Sequence, residues 1–367
     1  FNQGASNMPD EGVGVIMTID AQNTAPQNNN FSYDHVRSSN NSWTNSPGGV
    51  SAHYNGGQAY TYFKNVHGRE SISGEGGNIY SFINVAGEDG NSMGNAFWNG
   101  AAMFYGNGDA AFFPLGRGLD VAGHELSHGV VQGTANLEYQ GESGAMNESF
   151  ADIFGAMIDR DDWLIGEDVV KTNVFTSGAL RSMQDPHNGQ STGDYGGGWQ
   201  PRHTNEQFTG SQDNGGVHIN SGIPNYAYYL FATNSAVGKD KAEKVFYRAL
   251  TTYLSRSSQF EDLRAAVVQS SSDLYDASVI NAANAAFDQV GIAGNGQVTN
   301  YEQDAIVNPG TDLLLFSTPD LRYFARDNSS KSSSLIIFLD FRDSFKYSLS
   351  ALLIIFCKSH FSSPSIF

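Results

Sequence analysis

The distribution of apolar and polar positions divides the chain into two regions with different secondary structure. Residues 1–48 are rich in Asn, Ser and Gly around short β-prone pieces, which predicts strands joined by long loops. Apolar residues at helical spacing predict a helix over residues 50–67, although Gly56 and Gly57 weaken this prediction. Residues 79–115 alternate as strands do, in the segments IYSFINV, AFWNGAAMFYG and AAFFPL.

Helical periodicity dominates the chain after Leu119. It predicts six helices, over residues 119–133, 145–157, 217–236, 239–254, 260–275 and 278–290. A strand-bearing first half followed by a helical second half is typical of an α+β fold. We therefore expect a mixed, β-rich N-terminal lobe over residues 1–134 and a mainly helical C-terminal lobe over residues 135–292. The functional site is expected in the cleft between these lobes.

The end of the chain differs in composition from the rest. None of the 41 glycines lies after Gly310, and the last stretch contains the Ser-rich segment SSKSSS. These features predict that residues 293–367 form a linker and a poorly ordered or non-native tail, to which we assign no function.

Charge and cysteine content exclude some classes of partner. Acidic residues outnumber basic residues by 38 to 20, so the net charge is −18. Nucleic acid is not an expected partner, because phosphate binding needs clustered Lys and Arg. No apolar run is long enough to span a bilayer as a helix, so a membrane is not expected either. Cys357 is the only cysteine, which favours a reduced compartment unless a large core or a metal replaces disulfides.

Two histidines lie four residues apart in the segment VAGHELSHGVV, residues 121–131. On a helix, this spacing directs the imidazoles of His124 and His128 from one face, where they fit two corners of a tetrahedral zinc site. Glu125 would then lie beside the metal, where it can accept a proton from water. A helix with two incidental histidines is the alternative interpretation of this segment alone.

A catalytic zinc site needs a third protein ligand and one position left open for water. Glu148, twenty residues after His128, can be that ligand if a second helix returns beside the first. Asp152 lies one turn later and can accept the spare N–H of a ligand histidine, which fixes its tautomer. Taken alone, Glu148 would be an ordinary exposed carboxylate; the combination favours a zinc ligand.

Further motifs occur in a fixed order between about Ile16 and Ile292. HELSH and NESFAD are accompanied by AHYNGGQAYTYFKNVHGR, NAFWNG, LEYQGESGAMNE, LRSMQDP and DNGGVHINSGI. In this order the motifs resemble the thermolysin family of zinc metalloendopeptidases. The resemblance implies a two-lobed fold with the zinc helix at the base of the N-terminal lobe. It also implies one catalytic zinc ion, held by His124, His128 and Glu148, with Glu125 as the general base.

The resemblance assigns catalytic roles to three more residues. It implies that Tyr139 and His218 donate hydrogen bonds to the oxyanion of the reaction, and that Asp213 orients His218. A turn at Gly215 and Gly216 can direct the following helix so that His218 reaches over the metal, and such fixed donors lower the barrier. In isolation, His218 would be a structural histidine and Tyr139 a packing residue.

The resemblance also implies a substrate cleft. Asn95 and Ala96 match the family's edge strand, where an extended substrate pairs with backbone groups. Arg181 matches an arginine that binds a substrate carbonyl group. The match also implies a preference for bulky hydrophobic side chains in the substrate residue just after the cleaved bond. Six apolar residues match the pocket for that side chain: Phe112, Leu115, Val121, Ile165, Val169 and Leu180. Each of them could equally be a core residue.

Four acidic residues match family positions that hold structural calcium: Asp120, Asp159, Asp162 and Glu167. Carboxylates at a helix C-terminus oppose the helix dipole, and a divalent cation would remove that penalty. A solvated acidic turn is the alternative. Leu164 replaces one carboxylate of the family's double site, so we expect at least one calcium ion and no second ion there.

The expected function is a secreted, extracellular zinc endopeptidase that cuts internal bonds of protein or peptide substrates. The family resemblance implies its own pro-region as a partner during maturation, although no pro-region or first β-hairpin of the family pattern is seen before Ile16. A zinc aminopeptidase is one alternative, but its Gly-x-Met-Glu-Asn strand precedes the zinc helix, whereas GAMNE follows it here. A catalytically inactive zinc- and calcium-binding protein is the other alternative.

Overall fold

The N-terminal half of the chain is built around a mixed β-sheet with a long helix packed on one face. The computed structural model describes residues 2–3, 5–7, 14–40, 42–189, 191–296 and 298. Its strands in this half are β1 (Asn2–Gln3), β2 (Ala5–Asn7), β3 (Val15–Thr24), β4 (Asp34–His35), β5 (Arg37–Ser38), β6 (Ile79–Val85), β7 (Ala96–Trp98) and β8 (Met103–Gly106).

The main sheet has the strand order β2-β3-β6-β8-β7, and β4 pairs with β3 outside this path. Strands β3, β6 and β8 are parallel, whereas β2 and β7 run antiparallel to their neighbours. Along β6, alternate residues from Ile79 to Val85 are buried, which is the period of two expected for a strand. Strand β7 is an edge of this sheet, and β1 pairs with β5 in a separate ladder.

Helix α1 (Pro47–His67) packs against this sheet through a shared core. Its residues Ala59 and Phe63 are buried in one apolar cluster with Ile79 of β6. Two glycines in its middle do not interrupt the helix, because packing of an apolar face stabilises helices more than intrinsic propensity does. The helix ends at Gly68, whose φ of 66° lets its backbone N–H bond to a carbonyl of the last turn.

Two largely buried helices follow, α2 (Leu119–Gln132) and α3 (Gly141–Asp159). They run in opposite directions and approach closely at Gly123 and Gly155. A Cβ atom on Gly155 would lie 2.7 Å from the carbonyl oxygen of Asp120, and one on Gly123 would lie 3.1 Å from the Cα atom of Gly155. Only glycine fits at such a contact, so this pair sets the separation of α2 and α3.

The rest of the described chain is mainly helical. Its elements are β9 (Leu164–Ile165), β10 (Arg181–Ser182), α4 (Asp213–Asn220), α5 (Gly222–Ala232), α6 (Lys239–Arg248), α7 (Phe260–Leu274) and α8 (Ala277–Gln289). Strands β9 and β10 pair antiparallel. Apolar residues of α5 to α8 join the same core that underlies α1 to α3. A mixed sheet followed by a helical region confirms the predicted α+β class.

Three predicted elements are wrong in detail. The segment AAFFPL is not a strand, because Pro114 has no N–H to donate; residue Phe112 forms one isolated bridge with Val170, and a 3₁₀ turn follows. The helix predicted over residues 217–236 is divided into α4 and α5. The helix predicted over residues 239–254 becomes π-helical at 249–253.

The predicted lobe boundary between residues 134 and 135 falls in the turn between α2 and α3 and stays a prediction. The predicted tail, residues 293–367, lies outside the described residues except for 293–296 and 298. Within the described part of the chain, no helix has both the length and the apolar character needed to cross a membrane.

Candidate metal centre and active site

Helices α2 and α3 bring two imidazoles and one carboxylate together in the protein interior. The Nε2 atoms of His124 and His128 lie 3.0 Å apart. Each Nε2 atom also lies 3.4 Å from a different carboxylate oxygen of Glu148. These three residues form one group whose ligand atoms lie within 4.8 Å of one another, which fits a metal ion.

Hydrogen bonds on the far side of both rings determine which nitrogen faces the centre. The Nδ1 atom of His124 lies 2.8 Å from Asp152 Oδ1, and that of His128 lies 2.8 Å from Asn147 Oδ1. Both oxygens can only accept, so each Nδ1 atom donates its proton. In the neutral imidazole, Nε2 then presents a lone pair to the centre. Two lone pairs and a carboxylate directed at one point repel each other unless a cation lies between them.

The surroundings act in opposite directions on the pKa values of the two imidazoles. Burial lowers the pKa of His128 to about 4. Burial also disfavours the charged form of His124, but the carboxylates of Asp152 and Glu148 outweigh it and raise its pKa to about 10.

Glu125 lies on α2 between the two histidines and is buried, with 1% of its surface exposed. Neither of its carboxylate oxygens has a hydrogen-bond partner among the described residues. Burial raises the pKa of Glu125 to about 7. A buried carboxylate without partners is costly, so its retention beside the metal centre favours a chemical role over a structural one.

Tyr139 and His218 both lie beside Glu148 at the centre. The hydroxyl of Tyr139 donates to Glu148 Oε1 and lies 3.1 Å from His218 Nε2. The His218 ring is held by Asp213, whose Oδ1 atom lies 2.6 Å from Nδ1. Asp213 also accepts the backbone N–H of His218 at 2.8 Å. Both the backbone and the ring of His218 are thus fixed by one carboxylate.

The start of α4 has the unusual backbone that this arrangement needs. Four successive residues, Asp213 to Gly216, have φ between 49° and 84°. The last two are glycines, which adopt this left-handed region without strain. The turn allows a residue five positions before His218 to reach both its ring and its backbone.

A mainly apolar pocket opens beside the metal centre. Its wall contains all nine residues predicted to contact substrate, together with Gly94, His124 and Glu125: Asn95, Ala96, Phe112, Leu115, Val121, Ile165, Val169, Leu180 and Arg181. Pairing of β9 with β10 places Ile165 opposite Arg181 in this wall. Ala96 lies in the edge strand β7, and the Oδ1 atom of Asn95 is buried without a partner among the described residues.

Arg181 is buried rather than solvated. It forms two hydrogen bonds to Asp152, from Nε to Oδ2 at 2.9 Å and from Nη2 to Oδ1 at 2.8 Å. Asp152 therefore holds both a metal-facing histidine and a residue of the pocket wall. Its burial disfavours ionisation, but Arg181 and His124 outweigh that effect and hold the pKa of Asp152 below its usual value.

A second group of carboxylates lies at the far end of α2 and α3. Asp120, Asp159 and Glu167 have oxygens within 4.8 Å of one another. Burial raises the pKa of Asp120 to about 6. Burial and the neighbouring Asp120 raise the pKa of Glu167 to about 8. Asp162 is not in this group; its Oδ1 atom accepts the backbone N–H of Leu164.

Sequence analysis missed two asparagines of the site. Asn147 bonds to His128 and donates from Nδ2 to the carbonyl oxygen of Leu137, which fixes its amide orientation. Asn225 of α5 donates to Asp152 Oδ2 at 2.8 Å. Asn147 directly precedes Glu148 in the sequence, so its place in the site could have been predicted. No sequence motif predicts the place of Asn225.

Comparison with known proteins agrees with this geometry. The class defined by the fold and site is an α+β protein with a His–His–Glu group that fits a metal ion, beside a mainly apolar pocket. The model "Thermolysin metallopeptidase, catalytic domain" matches residues 2–132, and "Thermolysin metallopeptidase, alpha-helical domain" matches residues 135–292. The chain therefore belongs to the thermolysin family of metallopeptidases. The expected start of the resemblance at about Ile16 is wrong: the match begins at residue 2, and β2 pairs antiparallel with β3 there.

Relatives in this family are similar to the chain over most of its described length. Bacillolysin of Brevibacillus brevis is 46% identical over 265 residues, 69% of this chain and 47% of that protein. Extracellular elastase of Staphylococcus epidermidis is 44% identical over 246 residues, 66% of this chain and 46% of that protein. The chain thus spans about half the length of the curated relatives it matches.

A solved structure is also similar. The precursor of protealysin, a metalloproteinase from Serratia proteamaculans, is 30% identical to the chain with a TM-score of 0.67, covering 78% of this chain and 90% of that one. Membership of the thermolysin family implies zinc, and the group of His124, His128 and Glu148 fits a zinc site.

Proposed function

We propose that the protein is a secreted zinc metalloendopeptidase that hydrolyses internal bonds of protein and peptide substrates. The observation that carries this proposal is the buried carboxylate of Glu125. It has no hydrogen-bond partner among the residues that the structure describes, and it lines an apolar pocket together with His124 of the His–His–Glu group. His124, His128 and Glu148 would hold the zinc ion. When bound, zinc supplies Lewis acidity, which polarises a peptide carbonyl and makes water more acidic.

The protein's own groups would move the protons of the reaction. Glu125 accepts a proton from the attacking water and passes it to the nitrogen of the leaving amine. Tyr139 and His218 donate hydrogen bonds to the carbonyl oxygen as it gains negative charge, which lowers the barrier because the donors are already fixed. Asp213 acts by holding His218 in its donating orientation.

Substrate binding would use the edge strand and the pocket. An extended peptide can pair with the free edge of β7 at Asn95 and Ala96, while Arg181 binds a substrate carbonyl. The pocket favours a bulky hydrophobic side chain in the residue just after the cleaved bond, because its wall is mainly apolar.

The extracellular location and a pro-region are supported by relatives. One relative is named extracellular elastase, and the similar solved structure is a protease precursor. We propose by analogy that this protein acts outside the cell and that its own pro-region takes part in its maturation.

A peptide with a blocked N-terminus tests the reaction and the preference together. We expect cleavage of an acetylated peptide on the amino side of a single Leu, with products identified by mass spectrometry. Replacing that Leu by Asp should reduce kcat/KM by roughly 100-fold or more, because an unpaired charge is costly in an apolar pocket. Release of single residues from free N-termini alone would instead support an aminopeptidase. Bound zinc with no products from either peptide would support a catalytically inactive protein.

We also propose that Asp120, Asp159 and Glu167 bind one structural calcium ion. Adding calcium to calcium-free, zinc-loaded protein is expected to raise the midpoint of thermal unfolding by roughly 5 °C, since saturation at a hundred times the Kd contributes about 2.7 kcal/mol. Circular dichroism during heating measures this midpoint. The rise should be absent in Asp159→Asn and retained in Asp162→Asn, whose carboxylate lies outside the group. An equal rise in Asp159→Asn would contradict the assignment.

A further inference from the structure

We propose that Asn225 is a positioning residue of the metal centre, acting through Asp152 on both His124 and Arg181. Its Nδ2 atom donates to Asp152 Oδ2 at 2.8 Å, and both side chains are buried, with 1% and 0% of their surfaces exposed. No motif in the sequence includes Asn225 in the site. This inference rests on the proposed zinc site, because its effect is exerted on a zinc ligand.

The orientation of the Asn225 amide follows from its partner. An ionised carboxylate only accepts hydrogen bonds, so the NH₂ group of Asn225 must face Asp152. The Oδ1 atom is then buried without a partner among the described residues. A buried amide that leaves one of its own groups unsatisfied is costly, which indicates that the contact with Asp152 is retained for more than local stability.

Asp152 collects four hydrogen bonds from three residues. Its Oδ1 atom accepts from His124 Nδ1 and Arg181 Nη2, and its Oδ2 atom accepts from Arg181 Nε and Asn225 Nδ2. Among the described residues, removal of Asn225 leaves Oδ2 with the bond from Arg181 Nε alone, so the carboxylate can shift toward the guanidinium that already binds both of its oxygens. Such a shift moves Oδ1, the acceptor for His124, whose Nε2 atom faces the metal centre. Asn225 therefore fixes the one carboxylate that orients a metal ligand and a wall of the substrate pocket.

Asn225 also connects His218 to Asp152, because Asn225 and His218 lie on consecutive helices. Helices α4 and α5 are separated only by Ser221, and His218 of α4 lies seven residues before Asn225. The His218 Nε2 atom is 3.4 Å from Glu148 Oε1. This helical segment thus contacts α3 at Glu148 and again at Asp152. Loss of the second contact is expected to loosen the placement of His218 over the metal centre.

The zinc affinity of the metal-free protein tests this inference without any measurement of activity. We expect Asn225→Ala to raise the zinc Kd about tenfold. Loss of a residue that hydrogen-bonds to a metal ligand typically weakens metal binding by about 10- to 100-fold, and Asn225 acts one step further out. Competition with a chromophoric chelator measures this Kd. Val279→Ala, in the buried core of α8, is the matched control: it should lower thermal stability while leaving the zinc Kd unchanged.

A double-mutant cycle identifies the route of the effect. If Asn225 acts through Asp152, Asn225→Ala combined with Asp152→Asn should have the zinc Kd of Asp152→Asn alone. The inference would be overturned if the fold-increases in zinc Kd of the two single variants multiplied in the double variant. It would also be overturned if Asn225→Ala lowered the unfolding midpoint but left the zinc Kd unchanged. A wild-type protein that binds zinc but cuts no peptide would refute the proposed function and leave this comparison valid.

Discussion

Glu125→Gln is expected to retain zinc and to lose roughly three to four orders of magnitude in kcat, the upper range for a general base. The amide has the shape of the carboxylate, so the fold and the three metal-facing residues are unaffected. It has no basic oxygen to accept the proton of water, and its NH₂ group cannot deliver a proton to the leaving amine. Zinc content by atomic absorption and cleavage of the acetylated Leu peptide, measured on the same preparation, check this result.

An exposed glutamate provides the control for this substitution. Glu88→Gln changes the net charge by the same amount at a solvent-exposed position and should leave both zinc content and kcat unchanged. A Glu125→Gln protein that cuts at the wild-type rate with full zinc would remove Glu125 from the reaction. In that case the buried, unpartnered carboxylate would need a structural explanation.

The elements with strong local periodicity were predictable from sequence. The predicted helix over residues 119–133 is observed as Leu119–Gln132, and the segment IYSFINV is observed as β6. Both patterns arise from residues close together in the chain, which face the same core. The segment AAFFPL has similar alternation, but its structure depends on a distant residue, Val170, and on Pro114. Alternation alone did not distinguish an isolated bridge from a ladder.

The metal-facing residues were predictable because local spacing carries most of their geometry. A step of four residues places His124 and His128 on one helical face whatever the tertiary structure. The partners of Asp152 do not follow from spacing. Arg181 reaches it from β10 and Asn225 from α5, so their contacts depend on how distant elements pack against α3. The close approach of α2 and α3 at two glycines likewise follows from tertiary packing.

Glu148 differs from Glu125 in the kind of interaction it can make. Its carboxylate is 1% exposed and lies 3.4 Å from each Nε2 atom of His124, His128 and His218. Burial opposes its ionisation, but the surrounding imidazoles outweigh burial and hold the pKa of Glu148 well below its usual value. Glu148 therefore supplies negative charge to the centre, whereas Glu125 lines the pocket beside it.

Glu148→Gln is accordingly expected to lose the metal as well as the activity. A neutral amide donates less charge to zinc than a carboxylate does. We therefore expect the zinc Kd to rise roughly 100-fold or more, at least as much as the loss of a residue that hydrogen-bonds to a metal ligand. Activity at stoichiometric zinc should fall to background and recover in part when excess zinc is added, which Glu125→Gln should not do. Glu138→Gln, at a half-exposed position near Tyr139, should change neither quantity. Full zinc occupancy in Glu148→Gln would show that α3 does not supply the third ligand, and the proposed active site would have to be abandoned.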